Sequence, residues 1–321
     1  MTFEPFGKDN VAALHVFFEK EAGQGLYSFS LDTFTKSTID DVDFDPELSI
    51  VARDARTGEI IAAFFAVIRA ARVSVKGHTI TWVCPFLNMF AVRRDARRKG
   101  IGSSVLQELL DARLSKRRVA AKKGKGFTVH DRKLRVMASA PAYIWPGLDC
   151  RYTAAFFFLK KHGFKKGGER QNLAYFIPED FQEPPNRCGD YTIARAAAVD
   201  LDGTVAFIKK NHPGLWAQET EYSFHNEPIS TFIARDAGGT IVGFASHSIG
   251  FPGSFGATGV LESLRGKGVG GTLLKWCAYD LKKAGIDTMI IRWVEGDTIK
   301  FYSKSIGARV HQILWTMQRR I

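Results

Sequence analysis

The chain has 321 residues, of which 45% are hydrophobic, so it is long enough for two domains with separate cores and is not a disordered protein. Its 45 lysines and arginines outnumber 33 aspartates and glutamates, and the resulting net charge of +12 favours an anionic partner. The four cysteines have no paired spacing and no neighbouring histidine cluster, which argues against a disulfide framework or a zinc site.

The first half of the chain alternates strand-like and helix-like patterns. The most apolar run, residues 60–71, is about half as long as a membrane span and contains Arg69, so we expect a cytoplasmic protein without a membrane partner. A basic turn with glycines leads from the strands into a segment with helical apolar spacing. The predicted elements are strands at 48–52, 60–68 and 79–92, a helix at 101–114, a strand at 134–140, a helix at 153–162 and a strand at 173–177.

The second half repeats this order after a break in the pattern. Residues 178–190, which include Pro184 and Pro185, keep no apolar period, so we predict domains at 1–183 and 184–321. The basic turns are offset by 168 residues (265 − 97 = 168), which indicates a duplicated unit. The predicted elements are strands at 232–235, 241–247 and 255–260, a helix at 269–281, a strand at 288–294, a helix at 298–306 and a strand at 310–317.

Each basic turn stands where a strand ends and a helix begins. The start of a helix leaves backbone N–H groups without partners and carries partial positive charge, which suits a pyrophosphate. Glycine lets phosphate oxygens approach the backbone, and neighbouring Arg and Lys side chains attract the anion. The predicted cofactor-binding residues are Val92, Arg97, Arg98, Lys99, Gly100, Ile101, Gly102 and Ser103, and Val260, Arg265, Gly266, Lys267, Gly268, Val269, Gly270, Gly271 and Thr272.

The pattern R-x-x-G-x-G, five residues after a strand-ending valine in both halves, resembles the acetyl-CoA pyrophosphate loop of the GNAT N-acetyltransferase superfamily. Residues 157–164 and 301–308 resemble the later helix end of the same family. The resemblance covers nearly the whole chain and is to tandem proteins similar to mycothiol synthase. It implies an α/β (α+β) fold of two GNAT-type domains, each a mixed, mostly antiparallel sheet flanked by helices. It also implies acetyl-CoA as the cofactor and transfer of its acetyl group to the primary amine of a small molecule.

The second turn has two alternative interpretations. It also satisfies G-x-G-x-x-G, the pattern of dinucleotide-binding folds, but it follows a strand meander and does not open a βαβ series. The first copy has Ser103 in place of the third glycine, which argues further against that reading. A basic turn without any ligand is the other alternative. It is stronger for the first copy, where Arg98 stands in the place of Gly266.

The resemblance also suggests a proton donor. In similar GNAT enzymes a tyrosine in the helix after the fifth strand often protonates the CoA sulfur, and the matching residue is Tyr302, five residues before Gly307. Tyrosine, with a pKa of about 10, stays protonated near neutral pH and can serve a thiolate with a pKa of about 8.5. The matching residue five before Gly163 is Phe158, which offers no proton. We therefore predict catalysis in the second domain and a non-catalytic role for the first, while a packing role is the alternative for Tyr302.

The sequence gives a weaker indication of the residue that accepts the proton of the attacking amine. Many relatives place a carboxylate on the strand before the loop, but residues 251–260 contain none. Glu295, at the end of the following strand, is our candidate base, directly or through a water. A solvated surface carboxylate is the alternative for it. The other candidates are Glu219, Glu221 and His247. Cys277 falls on the apolar stripe of its helix, so we expect direct attack in a ternary complex and no acyl-cysteine.

Two further segments stand out by composition. Residues 116–135 concentrate lysines and arginines, but no aromatic residue is interleaved before Phe127, so nucleic acid is not favoured over a solvated loop. Residues 142–151 are rich in large amphipathic groups, and packing between the halves is preferred to an acceptor pocket. The rival function is a non-catalytic acyl-CoA-binding sensor or regulatory protein.

Overall fold

The computed structural model describes residues 1–23, 29–75, 78–114, 128–212 and 215–321. Internal contacts divide the chain into two compact units. Unit 1 contains Met1–Gly168 and Trp315–Ile321, and unit 2 contains Glu169–Leu314. Within the described ranges, every helix is too short or too polar to cross a membrane.

Unit 1 is a mixed sheet with helices. β1, β2, β3 and β4 pair antiparallel in that order, and β4 then pairs parallel with β5 and with β6. The elements are β1 (Thr2–Pro5), α1 (Val11–Phe18), α2 (Leu31–Lys36), β2 (Ser49–Arg53), β3 (Ile60–Val75), β4 (His78–Val92), α3 (Ile101–Gln107), β5 (Thr128–His130), β6 (Lys133–Val136), β7 (Leu148–Asp149) and α4 (Thr153–Lys161). β8 (Lys165–Phe176) begins in this unit and continues into the next.

Unit 2 repeats this plan. β9 to β13 pair antiparallel in chain order, β13 pairs parallel with β14, and β14 pairs antiparallel with β8. The elements are β9 (Arg187–Cys188), β10 (Tyr191–Arg195), α5 (Leu201–Asn211), α6 (Trp216–Ser223), β11 (Thr231–Arg235), β12 (Ile241–His247), β13 (Ser254–Val260), α7 (Val269–Lys283), β14 (Thr288–Val294), α8 (Thr298–Ile306) and β15 (Arg309–Arg320). The predicted fold class, α/β with a mixed and mostly antiparallel strand arrangement flanked by helices in each unit, is confirmed.

The two halves of the sequence exchange their last strands. β14 of unit 2 pairs with residues 171–176 of β8, which follow the helices of the first sequence half. β6 of unit 1 pairs with residues 317–320 of β15, at the end of the chain. The contact-defined boundaries therefore fall inside β8 and β15, whereas the loop at 183/184 was expected to separate the domains. The difference arises because strand pairing joins segments that are distant in sequence, and the break in the apolar pattern marks only a local loop.

The core of unit 2 lies on both faces of its sheet. Phe232 and Ala234 pack with α7 and α8, while Ile233 between them packs with α5 and α6. This alternation follows from the two-residue period of a strand. The predicted apolar stripe of α7 is confirmed, because its members are at most 1% exposed; they are Val269, Leu273, Leu274, Cys277 and Leu281. Cys277 is therefore a core side chain.

Unit 1 departs from the predicted elements in two places. The predicted helix at 101–114 is an α-helix only to Gln107, and Glu108–Leu114 continues as a π-helical segment. The strand predicted at 134–140 ends at Val136, because Met137 and Ala138 have positive φ angles of 60° and 62° and turn the chain away from β4. Most of the basic stretch at 116–135, namely residues 116–127, lies outside the described residues.

Candidate functional site

Two parallel strands of unit 2 separate toward their carboxyl ends. Within the part of the chain that is described, β13 and β14 pair only through residues 254–255 and 290–291. Beyond these pairs β13 is irregular at Ala257, with a φ angle of 56°, and β14 at Trp293, with a φ angle of 58°. We call the gap that opens between the two strands the unit 2 wedge. Because none of the described strands fills it, the wedge exposes one edge of β13.

The edge of β13 that faces the wedge carries backbone groups available to a ligand. The N–H of Leu261 donates to the carbonyl of Val242 at 2.9 Å, so Leu261 and Gly259 direct their backbone groups toward β12. Successive residues of a strand point these groups to opposite sides. Thr258 and Val260 therefore face the wedge, where an extended ligand with amide groups can pair with them.

The loop after β13 has the backbone shape that its glycines predict. Gly266 and Gly268 adopt left-handed φ angles of 79° and 87°. Space is open where a Cβ of Gly266 would stand, while a Cβ at Gly268 would lie 3.3 Å from the sulfur of Cys188. The first α-helical bond of α7 runs from the N–H of Thr272 to the carbonyl of Gly268 at 3.0 Å. The N–H groups of residues 269–271 are thus at a helix start without intrahelical partners.

The electrostatics of this loop fit an anion. The α7 helix has 15 residues, so its N-terminus carries partial positive charge. Arg265 and Lys267 are exposed beside it. Arg265 pairs with Glu262 at 3.3 Å, and both side chains are at least 67% exposed, so this pair costs little to break. Free amides, glycines and cations together fit the diphosphate of the CoA that the GNAT resemblance implies.

Tyr302 lies in the core of unit 2, next to the point where β13 and β14 separate. Its ring packs edge-on against Phe255, with centroids 6.0 Å apart, and Phe255 belongs to the last paired position of β13. The side chain is 7% exposed, and burial raises the pKa of its hydroxyl above the ordinary value. The hydroxyl is therefore protonated at neutral pH, as a proton donor requires, and its assignment as the donor stays a prediction.

The structural counterpart of Tyr302 in unit 1 is Leu159, and the match to Phe158 made from the sequence is corrected. Phe158 lies 3.3 Å from the place of a Cβ on Gly102. Phe301 lies 3.5 Å from the same place on the equivalent glycine of unit 2. The next residue in each helix is buried, and in unit 1 it is Leu159. The helix ends differ by one residue, so counting back from the glycine misaligned them. The conclusion that unit 1 lacks this hydroxyl still holds.

The candidate bases lie in different surroundings. Glu295 follows β14, its side chain is 60% exposed, and it forms an ion pair of 2.5 Å with Arg170. His247 is buried between Asp280, 2.9 Å from its Nε2, and a serine hydroxyl 3.0 Å from its Nδ1. Glu219 is buried on α6. Glu295 lies at the end of a strand that bounds the wedge, so it stays the candidate.

One residue beside the wedge escaped the sequence analysis. The ring of His212 lies against Gly259, with Nε2 2.5 Å from the place of a Cβ. It packs among the rings of Phe207, Trp216 and Phe244, and its Nε2 is buried without a hydrogen-bond partner among the described residues. Burial, and then the charge of the nearby loop arginine, lower its pKa. No motif marks His212, because only its contact with a glycine distant in sequence gives it this place.

The corresponding loop of unit 1 is held differently. Arg97 donates from Nε to the carbonyl of Val92 at 2.8 Å and from its guanidinium to the carboxylate of Glu21 at 3.1 Å. Glu21 is 5% exposed and also accepts the N–H of Arg94 at 2.8 Å. Arg98 has a positive φ angle of 63°, where unit 2 has a glycine. The side chain of Arg97 is therefore hydrogen-bonded to groups of the protein itself.

A cleft of about 920 Å³ opens beside this loop of unit 1. Gly100, Gly102 and Ser103 line it, together with residues of β4 and α4. The hydroxyl of Ser103 hydrogen-bonds to Nε2 of His162 at 2.9 Å. Part of the amphipathic segment 142–151 also lines the cleft. Its role as an acceptor pocket stays a prediction.

Comparison with known proteins agrees with this geometry. A sequence model of the acetyltransferase (GNAT) family matches residues 201–308. No curated protein sequence matches the chain. Among solved structures, a GCN5-related N-acetyltransferase from Sphaerobacter thermophilus has 16% identity and a TM-score of 0.70, with 99% of this chain and 95% of that chain covered. A tandem GNAT protein from the clavulanic acid biosynthesis pathway has 15% identity and a TM-score of 0.58, covering 99% and 97%.

A third solved structure is longer. The glucosamine N-acetyltransferase region of a fungal multi-domain GH3 β-N-acetylglucosaminidase aligns with 17% identity and a TM-score of 0.74 over 99% of this chain. This chain spans only 38% of that protein. At these identities the likeness is one of fold, and it agrees with the wedge and loop described above. Residues 201–308 of unit 2 thus match the acetyltransferase (GNAT) family model, and the chain as a whole has a fold similar to those of these N-acetyltransferase and tandem GNAT structures.

Proposed function

We propose that unit 2 transfers the acetyl group of acetyl-CoA to the primary amine of a small molecule, by direct attack of the amine in a ternary complex. The observation that carries the proposal is the continuity of the free edge of β13 with the helix start of α7. The backbone groups of Thr258 and Val260 suit an arm that contains amides, and the N–H groups of residues 269–271 suit a diphosphate. When bound, acetyl-CoA supplies an acyl thioester with a thiolate leaving group.

The remaining roles fall to side chains of the chain itself. Tyr302 donates its phenolic proton to the departing sulfur, because burial keeps the hydroxyl protonated. Glu295 accepts the proton that the acceptor amine loses, directly or through a water. The ion pair with Arg170 holds that carboxylate in place. The C–N bond to the acceptor thus forms while the C–S bond of the thioester breaks. The proton lost by the amine goes to Glu295, and the phenolic proton of Tyr302 goes to the sulfur.

Glucosamine is the first amine to be tested as the acceptor. The fungal neighbour named above is described as a glucosamine N-acetyltransferase region, and its fold covers nearly all of this chain. The assay follows release of free CoA thiol from acetyl-CoA with glucosamine, polyamines, amino acids and aminoglycosides. Release that depends on one of these amines supports the proposal.

Tyr302→Phe tests the proton donor. We expect the rate to fall about 100-fold or more while the affinity for acetyl-CoA is kept, because only the hydroxyl is removed from a packed ring. Tyr279→Phe is the matched control, since the Tyr279 hydroxyl contacts Glu183 on the surface. An unchanged rate in Tyr302→Phe removes this residue from its role. Glu295→Gln should lower the rate selectively at low pH, where the amine arrives protonated.

The second candidate function is a non-catalytic acyl-CoA sensor. It is favoured by two observations: Tyr302 is 7% exposed within the core, and Glu295 is engaged with Arg170. This alternative predicts heat on titration with acetyl-CoA but no thiol release with any amine. The enzyme proposal predicts both.

A further inference from the structure

Helix α4 and the end of the chain form one basic surface of unit 1. The segments that build it, residues 151–168 and 315–321, contain lysines and arginines but no aspartate or glutamate. They lie side by side, because the guanidinium of Arg319 donates to the carbonyl of His162 at 2.9 Å. The positive charge of this surface is therefore not neutralised by acidic groups of the two segments.

Three aromatic rings lie in contact on this surface. The ring centroid of Phe156 is 5.3 Å from that of Phe157 and 4.7 Å from that of Trp315. Phe157 is 60% exposed, whereas the other two rings are only partly exposed. A large apolar ring that stands in water at the centre of a charged surface indicates a place where a partner can cover it.

Lysines surround the three rings. The ammonium group of Lys166 lies 4.8 Å from the ring centroid of Trp315, and that of Lys160 lies 5.6 Å from the ring centroid of Phe156. Cation–π attraction favours these positions. Lys161 is the next residue of α4 and is exposed, and neither it nor Lys160 pairs with an acidic group in the described ranges. We call this surface the aromatic–lysine patch, and its members are Phe156, Phe157, Lys160, Lys161, Lys166 and Trp315.

The patch combines the two features that a single-stranded nucleic acid requires of a protein surface. Lysines contact its phosphates whatever the base sequence, and an exposed aromatic ring offers a face on which an unpaired base can stack. Phe157 is the most exposed of the three rings and has this role in the patch. An anionic bilayer would also attract the lysines, but a single well-exposed phenylalanine offers it little apolar surface to take up.

We infer that the aromatic–lysine patch binds single-stranded nucleic acid. An unpaired base stacks on Phe157, and the phosphates on either side contact the three lysines. The inference goes beyond the proposed function, because it uses neither the wedge nor the loop of unit 2. It also differs from the basic stretch at 116–135, which has no aromatic residue before Phe127 and does not favour nucleic acid over a solvated loop.

Salt dependence tests the phosphate contacts. Fluorescence anisotropy with the full chain follows the binding of a labelled oligouridylate of about 12 nucleotides, which is within the usual site size of single-strand-binding domains. The logarithm of the dissociation constant rises with the logarithm of the salt concentration by about 0.7 per phosphate contact, so three lysines predict a slope of about 2. Absence of binding, or binding that does not depend on salt, would overturn the inference.

Paired charge reversals locate the binding. Lys160→Glu combined with Lys161→Glu should weaken oligouridylate binding about tenfold or more and lower the salt slope by about 1.4, because two phosphate contacts are lost. Lys209→Glu combined with Lys210→Glu is the matched control, since these exposed lysines occupy the last turn of α5 in unit 2. The control makes the same change in net charge. Equal losses of affinity in the two double variants would refute binding at the patch.

Phe157→Ala tests base stacking separately from charge. Stacking on the ring predicts a loss of oligouridylate affinity of about fivefold or more, with the salt slope unchanged. Phe176→Ala is the matched control, since Phe176 is a phenylalanine of β8 that is 68% exposed. Wild-type affinity in Phe157→Ala, or an equal loss in Phe176→Ala, would show that Phe157 does not stack on a base and would contradict the inference.

Two competitors separate the patch from other anion sites. Phe157 and Lys161 also line the unit 1 cleft, so saturating acetyl-CoA is added to the oligouridylate complex. The complex should persist, and its displacement would place the oligouridylate in the cleft and overturn the inference. Phosphatidylserine vesicles test the membrane alternative. Vesicle binding that is lost in the Lys160→Glu and Lys161→Glu double variant, in a chain that does not bind oligouridylate, would identify an anionic bilayer as the partner instead.

Discussion

Strand β13 has no room for a side chain at Gly259. A Cβ there would stand 2.5, 2.6 and 2.9 Å from three ring atoms of His212, shorter than real Cβ contacts. The ring is itself packed against Phe207, Trp216 and Phe244, so it has little freedom to turn away. Gly259→Ala therefore forces the strand or the ring to move. Such overpacking costs about 1–3 kcal/mol of unfolding free energy, which lowers the melting temperature by about 3–10 °C.

A double-mutant cycle isolates this contact. Thermal unfolding is compared for the wild-type chain, Gly259→Ala, His212→Ala and the double variant. Once the ring is absent, the added methyl has space, so we expect Gly259→Ala to cost less than about 0.5 kcal/mol in the His212→Ala background. Gly259→Ala should also weaken acetyl-CoA binding, because Gly259 lies between the two residues that face the wedge. Additive losses in the double variant would refute the reasoning.

Three further outcomes are expected. A fragment of residues 184–321 should be insoluble or unfolded by circular dichroism, because it lacks β8, the partner of β14; a folded monomeric fragment would contradict the strand exchange. Burial acts to raise the pKa of Asp280, but hydrogen bonds from His247 and Arg195 lower it from 3.8 to about 2. Its contribution of about 2 kcal/mol to stability should thus be present above pH 4 and lost as the pH falls toward 2, and Asp280→Asn should remove this acid dependence. Cys277 should not react with a thiol reagent in the native protein, since burial raises its pKa.

Local patterns predicted most of the strands and helices of unit 2 and the backbone shape of the glycine-containing loop before α7, whereas the binding of a cofactor by that loop stays a prediction. The apolar spacing of residues 269–281 identified α7 and its buried stripe, because a helix buries one face at a period of 3.6 residues. The glycines at 266 and 268 predicted a left-handed turn before a helix, which the φ angles show. Both signals depend on residues that are neighbours in the chain. The same reasoning misplaced the counterpart of Tyr302 by one residue, because the two helices end differently.

By itself, the amino-acid sequence determined that the chain holds two repeats of one strand, loop and helix pattern, and that each repeat presents a basic, glycine-containing helix start. Only the tertiary structure decided which strand completes each sheet, that Leu159 replaces the tyrosine in unit 1, that His212 rests on Gly259, and that unit 1 contains an apolar cleft. These features depend on contacts between segments far apart in the chain. Such contacts are set by the packing of the whole unit, and the periodicity of a single segment carries no record of its distant partner.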